Sequence, residues 1–121
     1  MQQLTTFLDV RQYAVVISFS GEIDLAVSEK FDSDLNQALA AAEGMVPAPP
    51  VIIDLQGVTF FASCGFSDLL KTRTEANYRG LAVVLITSRR VQRLMERTHL
   101  DEIFDLHLTL EDALRAVGVA S

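Results

Sequence analysis

Residues 51–66, Val-Ile-Ile-Asp-Leu-Gln-Gly-Val-Thr-Phe-Phe-Ala-Ser-Cys-Gly-Phe, change hydrophobic period within one short stretch, and that change limits what the chain can fold into. The β-branched run 51–53 predicts a strand, and Gln56-Gly57 predicts a turn after it. A second apolar stretch, 58–61, stops at Ala62-Ser63-Cys64-Gly65. Beyond it Phe66, Leu69, Leu70, Arg73 and Ala76 share one helical face. Ser63 and Cys64 therefore lie where a strand hands over to a helix. Such a junction presents unpaired backbone amides and the positive end of a helix dipole. It is the predicted functional site.

The flanking chain predicts an α/β arrangement around this unit. Residues 4–9 and 12–20 read as two strands joined by a tight turn at Asp9-Val10-Arg11, with Gly21-Glu22 ending the second. The run 13–19 is continuous rather than alternating, as in a strand buried on both faces. Asp24 is placed to cap a helix whose stripe is Val27, Phe31, Leu35, Ala38, Leu39 and Ala42, with Gly44 as a left-handed stop. Pro47, Pro49 and Pro50 mark a surface connector. The second helix is predicted to end near Arg79 with Gly80 as its cap, before a buried strand at 81–86. Ser88 caps a third helix with Val91, Leu94 and Met95 inward; a short edge strand follows at 105–108. Thr109 to Asp112 has capping-box-like spacing before a last helix burying Leu110, Ala113, Leu114 and Val117. Single helices crossing between buried strands require a largely parallel sheet, with an antiparallel opening pair. The expected fold is an α/β sandwich with a mixed, mostly parallel sheet and about four helices.

At 121 residues the chain fits one domain. Its net charge of −6 argues against general nucleic-acid binding, which needs a cationic footprint. No apolar run approaches the roughly 20 residues that cross a bilayer. The opening Met-Gln-Gln-Leu-Thr-Thr lacks the features of a secretory signal, and a single cysteine forms no internal disulfide, so a cytoplasmic protein is expected.

The residues leave several chemistries open at the junction. Ser63 can cap the helix, accept a phosphoryl group that the amides and dipole would favour, or act as a nucleophile. The last is the weakest reading: the only histidines are His99 and His107, far along the chain, and no glycine stands two residues before the serine. Cys64 can be packing or a thiol of lowered pKa, but there is no second cysteine for dithiol chemistry. Asp24, Asp54 and Glu22 suggest a metal site only loosely, and no His/Cys spacing supports zinc. Arg89, Arg93 and Arg97 form a stripe that is either a solvated face or a patch for an acidic partner. No Gly-rich phosphate loop or other cofactor motif is present.

Gly21-Glu22-Ile23-Asp24 at the end of the second strand, taken with 51–66, resembles the STAS domain of bacterial anti-sigma factor antagonists. The likeness continues through 88–100, Asp101-Glu-Ile-Phe104 and the helix from Thr109 to Leu114. The resemblance implies a single STAS domain over 1–121 and a cytoplasmic interaction module, with no enzyme activity, metal or cofactor. It implies a partner anti-sigma factor of the serine-kinase type, which phosphorylates the first serine of an Asp-Ser-Ser-Gly motif, and a phosphatase that restores it. That serine corresponds to Ser63; the implied partner-binding residues are Asp24, Ser63, Cys64, Gly65 and Phe66. Here the motif reads Ala62-Ser63-Cys64-Gly65, so the preceding carboxylate is missing and a thiol replaces the second serine. Constitutive binding, a response through Cys64, and a non-phosphorylated scaffold or ligand-sensing role in a signalling or transport assembly stay open beside the phosphorylation switch.

Overall fold

In the computed structural model, which describes residues 4–118, the apolar runs assemble into one five-stranded sheet in the order β1-β2-β3-β4-β5. The strands are β1 (Thr5–Val10), β2 (Val15–Ile23), β3 (Val51–Phe61), β4 (Val83–Ile86) and β5 (Leu106–His107). β1 pairs antiparallel with β2, and every later pair is parallel, as the helical crossovers require. The helices are α1 (Ser28–Glu43), α2 (Ser63–Tyr78), α3 (Arg89–Arg97) and α4 (Leu110–Ala116).

Two hydrophobic clusters show how the layers form. Val15, Ile17 and Phe19 of β2 and Val51, Ile53 and Leu55 of β3 face α1, α2 and α3, meeting Phe31, Leu35, Leu39, Leu69, Val91 and Met95. The intervening Ile52, with Val84 and Ile86, faces Ala113 of α4 on the opposite side. The unbroken apolar runs thus reflect burial on both faces. Three edge-to-face or tilted ring contacts, Phe19–Phe31, Phe31–Phe61 and Phe61–Phe66, tie β2, α1, β3 and α2 into one stack at the C-terminal end of the central strands.

Several local expectations are corrected. Gln56-Gly57 is not a turn: β3 runs unbroken through it, and the pairing steps from Ser18↔Asp54 to Ser20↔Gly57 and from Gly21↔Val58 to Glu22↔Phe60. Each step places an extra residue on β3, so the irregularities are bulges. The turn-like signal is local and real, since Asp54 Oδ1 accepts from the Gln56 amide at 2.9 Å. Pairing with β2 resumes beyond it and keeps the strand going. Gly57 makes the close approach possible: a Cβ there would lie 2.5 Å from Ser20 Oγ. Nor does Gly21-Glu22 end β2, which bends at Gly21 (φ 112°) and continues to Ile23.

Other corrections concern phase and caps. The opening turn falls after Val10, closed by Arg11 N–H donating to Ala14 O at 2.9 Å. Gly44 is right-handed (φ −74°), whereas Gly80 has the expected left-handed backbone at φ 72°. The inward face of α2 is Gly65, Asp68, Leu69, Thr72 and Ala76, so Leu70 and Arg73 lie off it. Ser88 caps α3 and Thr109 caps α4 as expected, accepting from Val91 N–H and Asp112 N–H. Leu110, the first residue of α4, stays exposed, while Ala113 is buried and Leu114 and Val117 pack partly against the second cluster. Among the described residues no helix is long and apolar enough to cross a membrane.

Candidate functional site

Two chain reversals meet at one end of the sheet. In the β2–β3 ladder Ile23 pairs with Phe61, and Ala62 N–H donates to Ile23 O at 2.9 Å. The residues after these strands, Asp24 on one and Ala62-Ser63 on the other, are therefore brought to the same end of the sheet although far apart in sequence. This is the carboxyl end of the parallel strands, where open α/β sheets usually place their sites.

Ser63 is the first residue of α2, not its cap. The cap position belongs to Ala62, in extended backbone, whose side chain accepts no hydrogen bond. Its carbonyl accepts from Gly65 N–H at 2.9 Å, but alanine brings no side-chain oxygen for the other amides of the first turn. Ser63 is exposed, with its hydroxyl beside this positive helix end. Asp24 caps a single 3-10 turn (Leu25–Val27) rather than α1 itself, accepting from Ala26 N–H at 3.0 Å. The turn inserts before α1, whose own cap position is Val27.

The other expected site residues lie beneath or beside this pair. Cys64 is a half-buried free thiol at the second position of α2. Gly65 is buried, and a Cβ there would sit 2.7 Å from the Phe61 ring and 2.9 Å from Ile23 Cγ2. Phe66 is half-buried, its ring 4.6 Å from that of Phe61. These two shape the surface from below. Glu22 ends up near the same corner, opposite Phe60, while Asp54 is spent on the bulge. Among the described residues no cluster of metal-ligating side chains is present.

Sequence reasoning missed two surface residues. Leu25 is 80% exposed on the 3-10 turn after Asp24, and Phe60 is 49% exposed two residues before Ala62. Phe60 was not legible from alternation, because the second bulge leaves Thr59 and Phe60 both exposed between the inward Val58 and Phe61. Leu25 followed from nothing local, because only tertiary packing turns it outward. Together they give an otherwise polar corner an apolar contact area of the kind that marks protein interfaces.

A partly buried polar contact links the start of α1 to α2. Ser28 Oγ donates to Asp68 Oδ2 at 2.7 Å, and Asp68 is only 8% exposed. Ser28→Ala would leave that carboxylate without this donor, an expected cost of about 1–3 kcal/mol. Thermal unfolding should show a fall in Tm of roughly 4–12 °C. An unchanged Tm would show that water replaces the hydroxyl without penalty.

Comparison with known proteins agrees with the architecture. The STAS domain family model matches residues 7–113. The chain belongs to the STAS domain family. It is 30% identical over 105 residues to the anti-sigma-F factor antagonist RsfA of Mycobacterium tuberculosis, a match spanning 85% of this chain and 79% of RsfA. Among solved structures it resembles an anti-sigma factor antagonist from Mycobacterium paratuberculosis, with 29% identity, a TM-score of 0.79, and 95% and 94% of the two chains covered. The unphosphorylated form of SpoIIAA, a Bacillus protein, shares the fold at 21% identity and a TM-score of 0.72, over 97% of this STAS chain and 100% of SpoIIAA.

Proposed function

We propose that this STAS protein is an anti-sigma factor antagonist whose partner is a serine-kinase type anti-sigma factor, and that phosphorylation of Ser63 releases that partner. The observation that carries the reading is the exposed Ser63, in a helix turn whose cap position accepts no side-chain hydrogen bond, at the same end of the sheet as Asp24 and the exposed Leu25 and Phe60. Relatives described as anti-sigma factor antagonists supply the partner class. The protein is an interaction module rather than an enzyme, and the chemistry belongs to the partner. Ser63 Oγ attacks the γ-phosphorus of ATP bound to the kinase, ADP leaves, and the hydroxyl proton passes to a kinase base. A phosphatase reverses the modification by hydrolysis. The setting is the cytoplasm, with neither nucleic acid nor membrane as a partner.

The switch is electrostatic. A phosphoserine adds about −1.5 to −2 charges and three acceptor oxygens. Against its own helix the dianion is welcome, because it meets amides and the positive dipole end. Inside an interface it must be desolvated, and it adds to the negative charge of Asp24 and Glu22. Folding is therefore spared while docking is penalised.

The test is incubation with a kinase-type anti-sigma factor and ATP, followed by intact-mass measurement. One added phosphoryl group on the parent and none on Ser63→Ala supports the reading. An unmodified parent removes the switch. The missing carboxylate at Ala62 favours a second reading for that outcome, a STAS scaffold that binds without phosphoryl transfer.

A further inference from the structure

Beyond the Ser63 corner, the distribution of positive charge is uneven. Four of the chain's ten basic residues, Arg89, Arg90, Arg93 and Arg97, lie in the nine-residue α3, against the single acid Glu96. Arg11, Lys30, Lys71, Arg79 and Arg115 each have a carboxylate within ion-pair distance. Among the described residues none of the α3 arginines does, and all four are exposed.

The helix is also built against its own electrostatics. Arg89 and Arg90 occupy the first turn, where the dipole favours acids and none is present. Arg89, Arg93 and Arg97 follow one another at four-residue spacing, so like charges stack along one side. Ser88 caps the helix and Arg97 suits its last turn, yet the two first-turn arginines and the like-charge stack still oppose helix stability, a pattern expected of a surface kept for a ligand.

The surface beside these arginines is recessed and apolar. A cavity of about 250 Å³ opens between α3 and the last residues of β3, its walls Val58 to Phe61 on one side, Thr59 included, and Arg90, Val91 and Leu94 on the other. A second recess of about 280 Å³ continues it along α3, lined by Arg90, Arg93, Leu94 and Arg97. Arg90 and Leu94 line both, so the two recesses adjoin as a grooved surface with apolar residues on its floor and guanidinium groups along its rim.

We infer that this groove binds an acidic amphipathic segment of a protein partner, with apolar side chains over Phe60 and Leu94 and carboxylates on Arg90, Arg93 and Arg97. Charge complementarity selects the acid, and guanidinium groups pair carboxylates in a two-pronged geometry. The apolar floor selects a peptide over a polyphosphate, which offers nothing to cover it. The remainder of the chain carries fifteen acids against six other bases, so a long polyanion passing beyond α3 meets repulsion while a short segment does not.

The test titrates the intact protein against a fluorescein-labelled helical peptide with one leucine face and one glutamate face. Its controls are the same peptide with lysine for glutamate, a duplex DNA, and phosphatidylglycerol vesicles. Saturable binding of the glutamate peptide is expected, weakened about tenfold or more in the Arg90→Gln/Arg93→Gln/Arg97→Gln variant, whose fold is checked by circular dichroism. Leu94→Asp, which removes floor rather than rim, should weaken it comparably. Equal binding of the lysine peptide, or no loss in either variant, overturns the proposal. Tighter binding of DNA or vesicles than of the peptide overturns it in favour of those ligands. Ser63→Ala and Asp24→Ala should leave the peptide affinity unchanged. Failure of Ser63 phosphorylation would therefore leave this result standing, and the reverse.

Discussion

Ser63→Asp is expected to reduce the affinity for a kinase-type anti-sigma factor by about tenfold or more, a loss of at least about 1.4 kcal/mol, while leaving the fold intact. The opposite signs make the result informative. Ser63 is exposed at the first position of α2, and an acid in the first turn of a helix typically gains about 0.3–1 kcal/mol from the dipole. Tm should accordingly hold or rise by a few degrees. In the complex the same carboxylate would be confined at the same end of the sheet as Asp24 and lose water. Calorimetric titration of parent, Ser63→Asp and Ser63→Ala, with a thermal melt of each, separates the two effects. Equal affinities for all three proteins would take Ser63 out of the docking surface.

Gly65→Ala is expected to lower Tm by roughly 4–8 °C and to weaken partner binding together with it. The added Cβ would stand 2.7 Å from the Phe61 ring and 2.9 Å from Ile23 Cγ2. Neither neighbour can withdraw: both are buried, and the Phe61 ring is held between Phe31 and Phe66. Overpacking of this kind costs about 1–3 kcal/mol, more than the helix gains where alanine replaces glycine only if the first turn of α2 cannot shift freely. It cannot, because Ala62 is bonded back to Ile23. Relief must come from lifting the turn that carries Ser63 away from Asp24. A variant as stable as the parent would show that the ring stack yields, and that Gly65 does not set the site geometry.

The origin of each feature of the site explains why some were readable and others not. Ser88 and Thr109 cap their helices through bonds spanning three residues, so a local motif sufficed. The stripe of α1 was readable from Phe31 to Ala42 because the helical period is a property of the backbone. Gln56-Gly57 misled, since turn chemistry at Asp54 is local whereas the continuation of β3 depends on β2. The face of α2 was read one step off, because Gly65 counts as nothing in a hydrophobic pattern yet makes the closest contact with the sheet. The arginines of α3 were visible as a stripe; the groove they border needs Phe60 and Val58 from another element.

By itself the sequence determined the α/β class, the helix and strand order, and a serine at a strand-to-helix junction, because these follow from periodicity and capping over a few residues. Tertiary structure decided that Asp24 and Ser63 come to the same end of the sheet, that Leu25 and Phe60 face outward, and that α3 borders a largely apolar recess. Those placements depend on the β2–β3 register, with its two bulges, and on which face each helix turns to the sheet. Register and helix phase are set by pairing and packing between distant segments, and short-range patterns along the chain carry no information about them.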